Sequence, residues 1–125
     1  MQAQLTVRQV EWFGEESATL TLDSGEATVE VFCHLGSYRV GDKVDNRLQI
    51  LDGELCAAAL ADGPEVDVAD ELQSLGAYRY RGRGTVIDSA DGLVSVNGFC
   101  IEFGATYLTG AVEFTIARLD IYPDT

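Results

Sequence analysis

A chain of 125 residues, 46% hydrophobic and 23% charged, is long enough to bury a core without help from disulfides, and its composition excludes intrinsic disorder. Its 21 acidic residues stand against 8 basic ones, a formal charge of −13 that repels a phosphate backbone and favours a basic protein partner or cations held by carboxylates. Cys33, Cys56 and Cys100 are odd in number and widely spaced, no charged start with an apolar leader is visible, and no apolar run approaches the ~20 residues that cross a bilayer; the expectation is one soluble, cytoplasmic domain spanning 1–125, with reduced thiols and no cofactor.

Apolar alternation and turn residues define the elements in chain order. Leu5 and Val7 share one phase and Val10 and Trp12 the other, so the first strand carries a bulge or bend. Ala18, Leu20 and Leu22 alternate with threonines up to Asp23-Ser24-Gly25, and Ala27, Val29 and Val31 follow, which reads as a hairpin. Val44, Leu48 and Ile50 continue the period of two up to Asp52-Gly53, read as a further hairpin turn. Over 64–75 the spacing of Val68, Leu72 and Leu75, with Pro64 at the start and Gly76 after the end, predicts one short α-helix. Strands resume at Tyr78 and Val86. Asp91-Gly92 and Asn97-Gly98 set turns before Phe99, Ile101 and Phe103, and the run Val112, Phe114, Ile116 changes phase to Leu119 and Ile121, as in a second bent strand.

Long strands that change face are how small barrels turn corners, so the pattern predicts a mainly β fold: a small antiparallel β-barrel, OB-like or related, of about 7–9 strands with the helix near its middle. Its expected core is Leu5, Val7, Leu20, Leu22, Val29, Val31, Val44, Leu48, Ile50, Val86, Phe99, Ile101, Val112, Phe114 and Ile116. A weak internal duplication, 1–61 against 77–125, sets Phe32-Cys33, Gly41, Val44 and Arg47-Leu48 beside Phe99-Cys100, Gly110, Val112 and Arg118-Leu119. The strand-rich order, the bent first strand and the segment Tyr38-Arg39-Val40-Gly41-Asp42-Lys43-Val44 resemble OB and S1-like barrels in architecture, a likeness that implies fold and not function.

Two stretches carry candidate chemistry. Tyr78, Arg79, Tyr80, Arg81 and Arg83 interleave aromatics with cations, the combination by which single-stranded nucleic acid is stacked and tracked. On a strand the tyrosines share one face and the arginines the other. The competing reading, which the net charge favours, pairs these arginines with neighbouring carboxylates and packs the tyrosines on the core. Asp62, Glu65, Asp67, Asp70 and Glu71 form an acidic run without the spacing of a calcium loop; it reads as a solvated face that could meet a basic partner. The thiols and the lone His34 lack paired metal-ligand spacing, so no metal is expected, and neither a nucleophile elbow nor a phosphate loop is present, so no catalytic residue is assigned.

The sequence therefore points to a protein-binding module, possible forms being an inhibitor or immunity-type partner of a basic protein, or self-association. The alternatives are a single-stranded nucleic acid binder using Tyr78 to Arg83, and a small-ligand carrier or enzyme with its site in a barrel mouth. No membrane partner is expected.

Overall fold

A computed structural model of the chain describes residues 3–34, 37–57 and 70–121. Among them run twelve strands: β1 (Gln4–Trp12), β2 (Ser17–Asp23), β3 (Thr28–His34), β4 (Lys43–Asp45), β5 (Leu48–Ile50), β6 (Gly53–Ala57), β7 (Glu71–Gly76), β8 (Arg79–Asp88), β9 (Leu93–Val96), β10 (Phe99–Glu102), β11 (Gly110–Ile116) and β12 (Leu119–Ile121). They join in one sheet of order β4-β1-β2-β3-β12-β5-β10-β9-β8-β11-β6. The ten residues of β8 take β11 along one side, and on the other β7 near Arg79–Arg83 followed by β9 near Thr85–Asp88.

The fold is mainly β, and the barrel expectation is corrected. Closure requires the first and last strands of the order to pair with each other. Among the described residues the three-residue β4 pairs only with β1 and β6 pairs only with β11, so the sheet is open, and it has more strands than 7–9.

The helix expected over 64–75 is also corrected. Residues 64–69 lie outside the described residues, and Glu71–Gly76 is a strand paired antiparallel with β8 through Glu71↔Arg83, Leu72↔Gly82 and Gln73↔Arg81. A helix of that length is marginal in water by itself, whereas β8 offers a free row of backbone groups. Tertiary pairing therefore overrides the local spacing. Gly76 does adopt positive φ (86°), though at a hairpin turn and not a helix cap.

Two further local readings change. Asp52 has φ 64° as expected of a turn residue, but β5 and β6 are not neighbours, so this corner carries the chain to the far end of the sheet. The phase change after Ile116 is a break between β11 and β12 at Ala117-Arg118, whereas that of β1 is a bulge between Val7 and Gln9. The Asn97-Gly98 turn (φ 47° and 83°) closes a two-residue hairpin between Val96 and Phe99, as its sequence requires.

The pairings run twice through one scheme. β1, β2 and β3 form a meander with β4 on the free side of β1, and β8, β9 and β10 form another with β11 on β8. β12 then lies parallel to β3 and β5 parallel to β10, while β5 and β12 meet antiparallel in the middle. Arg47-Leu48 and Arg118-Leu119 hold equivalent places in the central pair, whereas the registers set Val44, opposite Leu5, against Phe114, opposite Gly82, and not against Val112. Phe32-Cys33 does not match Phe99-Cys100: Phe32 sits opposite Asp120 as Glu102 sits opposite Gln49.

The inner faces bury one hydrophobic cluster. Of the expected core, Ile50 and Val86 are only partly buried, and Ala18, Cys33, Tyr80, Val94, Val96, Leu119 and Ile121 join it. Phe99, Leu20 and Leu48 are fully enclosed, and burial of each such side chain stabilises by about 1.5–3 kcal/mol. Across the core Asn46, only 9% exposed, ties the β4–β5 link to β10: its Nδ2 donates to the Gly98 carbonyl (2.8 Å) and its Oδ1 accepts from Cys100 N–H (2.9 Å).

Candidate functional site

In the segment from Tyr78 to Arg83 the two tyrosines do not share an exposed strand face. Alternation along β8 turns Tyr80 inward, where it is 5% exposed; its phenol donates to the Glu30 carbonyl (3.1 Å) and accepts from Glu30 N–H (2.8 Å). Arg81 and Arg83 face outward. Arg83 Nη2 meets Glu113 Oε1 at 2.9 Å, Arg81 Nε donates to Gln73 Oε1 at 2.8 Å, and the exposed Arg79 donates to the Leu75 carbonyl at 3.4 Å.

Burial pushes the Tyr80 phenol above its ordinary range, the Glu30 hydrogen bond opposing it. A group whose neutral form is favoured in the fold contributes stability below the unfolded value, about pH 10 for tyrosine, and loses it as pH rises through the raised folded value. Tyr80→Phe removes that loss but leaves Glu30 without its phenol partner, so it is expected to be less stable at pH 7 by about 1–3 kcal/mol, with a flatter melting-temperature profile above pH ~10 than the parent. Thermal melts of both proteins from pH 7 to 11 check this.

Tyr78 lies outside β8, in the two-residue turn between Gly76 and Arg79, where Ala77 and Tyr78 both have positive φ (51° and 66°). Such a turn favours Asn-Gly, and side chains there cost about 1 kcal/mol each. Contacts hold the turn in place: Tyr78 hydroxyl shares a short hydrogen bond with Thr19 Oγ1, its carbonyl accepts from Leu119 N–H (2.9 Å), and its ring meets Phe32 edge-on at 5.8 Å.

Phe32 is the centre of an aromatic patch on the outer face of β2, β3 and β12. Phe13 lies 6.1 Å from it and His34 stacks parallel at 6.4 Å; Arg118 Cζ sits 4.2 Å from its ring centre. Asp120, 1% exposed, holds Arg118 through two contacts of 2.7 and 2.8 Å. Ser17 Oγ is 3.3 Å from His34 Nδ1. Phe13 remains 49% exposed, and exposed Glu15 and Glu16 follow it in the turn, with exposed Glu30 two residues before Phe32 on the same face. The signal in the sequence was the pair Trp12-Phe13, two large aromatics at the end of β1 just before Gly14 and the turn; both are about half exposed.

A second concave feature lies on the outer face of β6, β11, β8 and β7. Register sets Cys56, Glu113, Arg83 and Glu71 in one row and Glu54, Thr115, Arg81 and Gln73 in the next, and all of these but Gln73 line a groove of about 350 Å³. Gly82 lies between the arginines because a Cβ there would come within 2.1 Å of the Glu71 carbonyl. Glu54, Thr115 and Glu113 escaped sequence reasoning because only strand register brings them beside Arg81 and Arg83.

The acidic run divides. Asp62, Glu65 and Asp67 lie outside the described residues; Asp70 accepts Asn97 N–H at 3.0 Å and Glu71 stands opposite Arg83. Cys33 and Cys100 are buried and Cys56 is exposed; burial raises the Cys100 thiol above its ordinary range. Among the described residues no three acidic, histidine or cysteine side chains gather as metal ligands, and no helix is long and apolar enough to cross a membrane. No family model matches the chain, and neither the curated proteins nor the solved structures provide a significant match, so function has to be read from these residues themselves.

Proposed function

We propose that this chain is a protein-binding module that docks a basic partner on the aromatic patch formed by Phe13, Phe32, His34 and Tyr78. The observation that carries the reading is Phe13: a large ring left half exposed against Phe32, beside the carboxylates of Glu15, Glu16 and Glu30. Aromatic anchors dominate binding energy at interfaces, and a field of −13 draws a cationic partner from beyond contact distance. Masking a basic partner in this way is inhibitor or immunity-type behaviour. The nucleic-acid alternative loses support because Tyr80 is enclosed and Arg83 is paired with Glu113.

The test is fluorescence anisotropy with a labelled lysine- and arginine-rich peptide containing aromatic residues, at 50 and 300 mM salt. The expected result is salt-sensitive binding that weakens at least tenfold in Phe13→Ala, whose ring is too exposed to be needed for folding. Affinity indifferent to salt, or unchanged in Phe13→Ala, overturns the reading. Labelled single-stranded DNA and RNA form the second arm, and salt-sensitive binding of either that is lost in Arg81→Ala replaces the protein reading with the nucleic-acid one.

A further inference from the structure

The groove on β6, β11, β8 and β7 has a charge balance that the proposed docking surface does not use. Arg83 and Glu113 are paired at 2.9 Å. Arg81 spends its Nε on the neutral Gln73 and, among the described residues, no carboxylate comes within ion-pair distance of it, in a chain with 21 acids. Glu54 and Glu71, also lining the groove, likewise have no ion pair among the described residues. Arg83, engaged with Glu113 and with its Nε enclosed, leaves Arg81 as the cation the groove presents. A volume of about 350 Å³ falls in the range of small-molecule sites.

One cation and two carboxylates around a small concavity ask for a ligand with one anionic and two cationic groups. We infer that the groove binds a free basic α-amino acid, lysine or arginine in class. The ligand carboxylate lies against the Arg81 guanidinium, which offers paired donors matched to a carboxylate. The α-ammonium and the side-chain cation lie against Glu54 and Glu71, on opposite sides of Arg81 in the strand order. Thr115, between Glu54 and Arg81 in the same row, supplies a hydroxyl to the floor. A ligand of charge +1 cancels the residual −1 of these three groups and is favoured by the field of the whole chain.

Isothermal titration calorimetry on the whole protein, with L-lysine and L-arginine as probes, tests this. Both are expected to bind. Lysinamide, which lacks the carboxylate, and Nα-acetyl-lysine and norleucine, each lacking one cation, are expected to bind at least tenfold more weakly. Arg81→Gln and Glu54→Gln, both at exposed positions, are expected to lose at least tenfold in lysine affinity with unchanged melting temperature, while Phe13→Ala binds lysine as the parent does, which separates this site from the aromatic patch. Absence of heat with both amino acids, lysinamide binding as tightly as lysine, or an Arg81→Gln variant that binds as the parent does, each overturns the inference.

Discussion

Arg118→Met is expected to lower the free energy of unfolding by about 3–5 kcal/mol, because it leaves a carboxylate inside the protein without its countercharge. Asp120 is 1% exposed and takes Arg118 Nε and Nη2 at 2.7 and 2.8 Å, while Arg118 itself is one-third exposed and spreads over Phe32. The asymmetry matters. Methionine keeps most of the stem packing, so the loss is mainly that of the buried charge, and the double variant Arg118→Met/Asp120→Asn is expected to recover more than half of it. Urea unfolding of the parent, both single variants and the double variant measures the coupling. Additive single losses would show that the pair is not a unit. The same cycle bears on the proposed function, since Arg118 packs on the Phe32 ring that meets Phe13.

Asn46→Ala is the second large effect, expected at about 2–5 kcal/mol and a melting temperature lower by roughly 10 °C. Its amide spans residues more than fifty apart in sequence, joining the β4–β5 link to the Gly98 carbonyl and the Cys100 N–H on β10. Alanine leaves both backbone groups buried and unpartnered, at about 1–3 kcal/mol each. Asn46→Asp separates the two halves of the interaction: the carboxylate still accepts from Cys100 but cannot donate to Gly98, so it too is destabilised. Differential scanning calorimetry of the parent and the Asn46→Ala, Asn46→Asp and Asn46→Leu variants decides between a bridging role and simple space filling, for which Asn46→Leu would be as stable as the parent.

The two surfaces follow from one feature of composition. With 21 acids and 8 bases, the carboxylates engage Arg8, Arg47, Arg83 and Arg118 and still leave a surplus. Under both proposals that surplus favours cationic ligands, one macromolecular at the aromatic patch and one small in the groove. Salt sensitivity is therefore expected of both, and the variants that distinguish them are Phe13→Ala and Arg81→Gln.

Local pattern was enough where a side chain's neighbours in sequence decide its environment. The threonine-rich alternation of β2 and β3, the Asn97-Gly98 turn and the bulge in β1 are all legible because a period of two and a positive φ are properties of a few adjacent residues. Most of the core followed from the same period. The composition also set the charge.

What only tertiary structure decided was which edges meet. Leu72 and Leu75 have helical spacing, but the row of backbone groups along β8 captures their segment as β7, since a free strand edge gains a ladder of hydrogen bonds that a short helix cannot match. Asp52 bends the chain as its sequence says, yet nothing local specifies that β6 should cross to the end of the sheet beside β11. Closure is not legible locally for the same reason: pairing between strands is a long-range choice, and among the described residues β4 and β6 end with one partner each. Both candidate sites are products of such choices. Phe13, Phe32, Tyr78 and Arg118 come from four separate stretches, and Glu54 meets Arg81 only through the registers of β6, β11 and β8. Sequence carries the chemistry of each residue and its local conformation; register, which depends on contacts among distant segments, determines which of those chemistries share a surface.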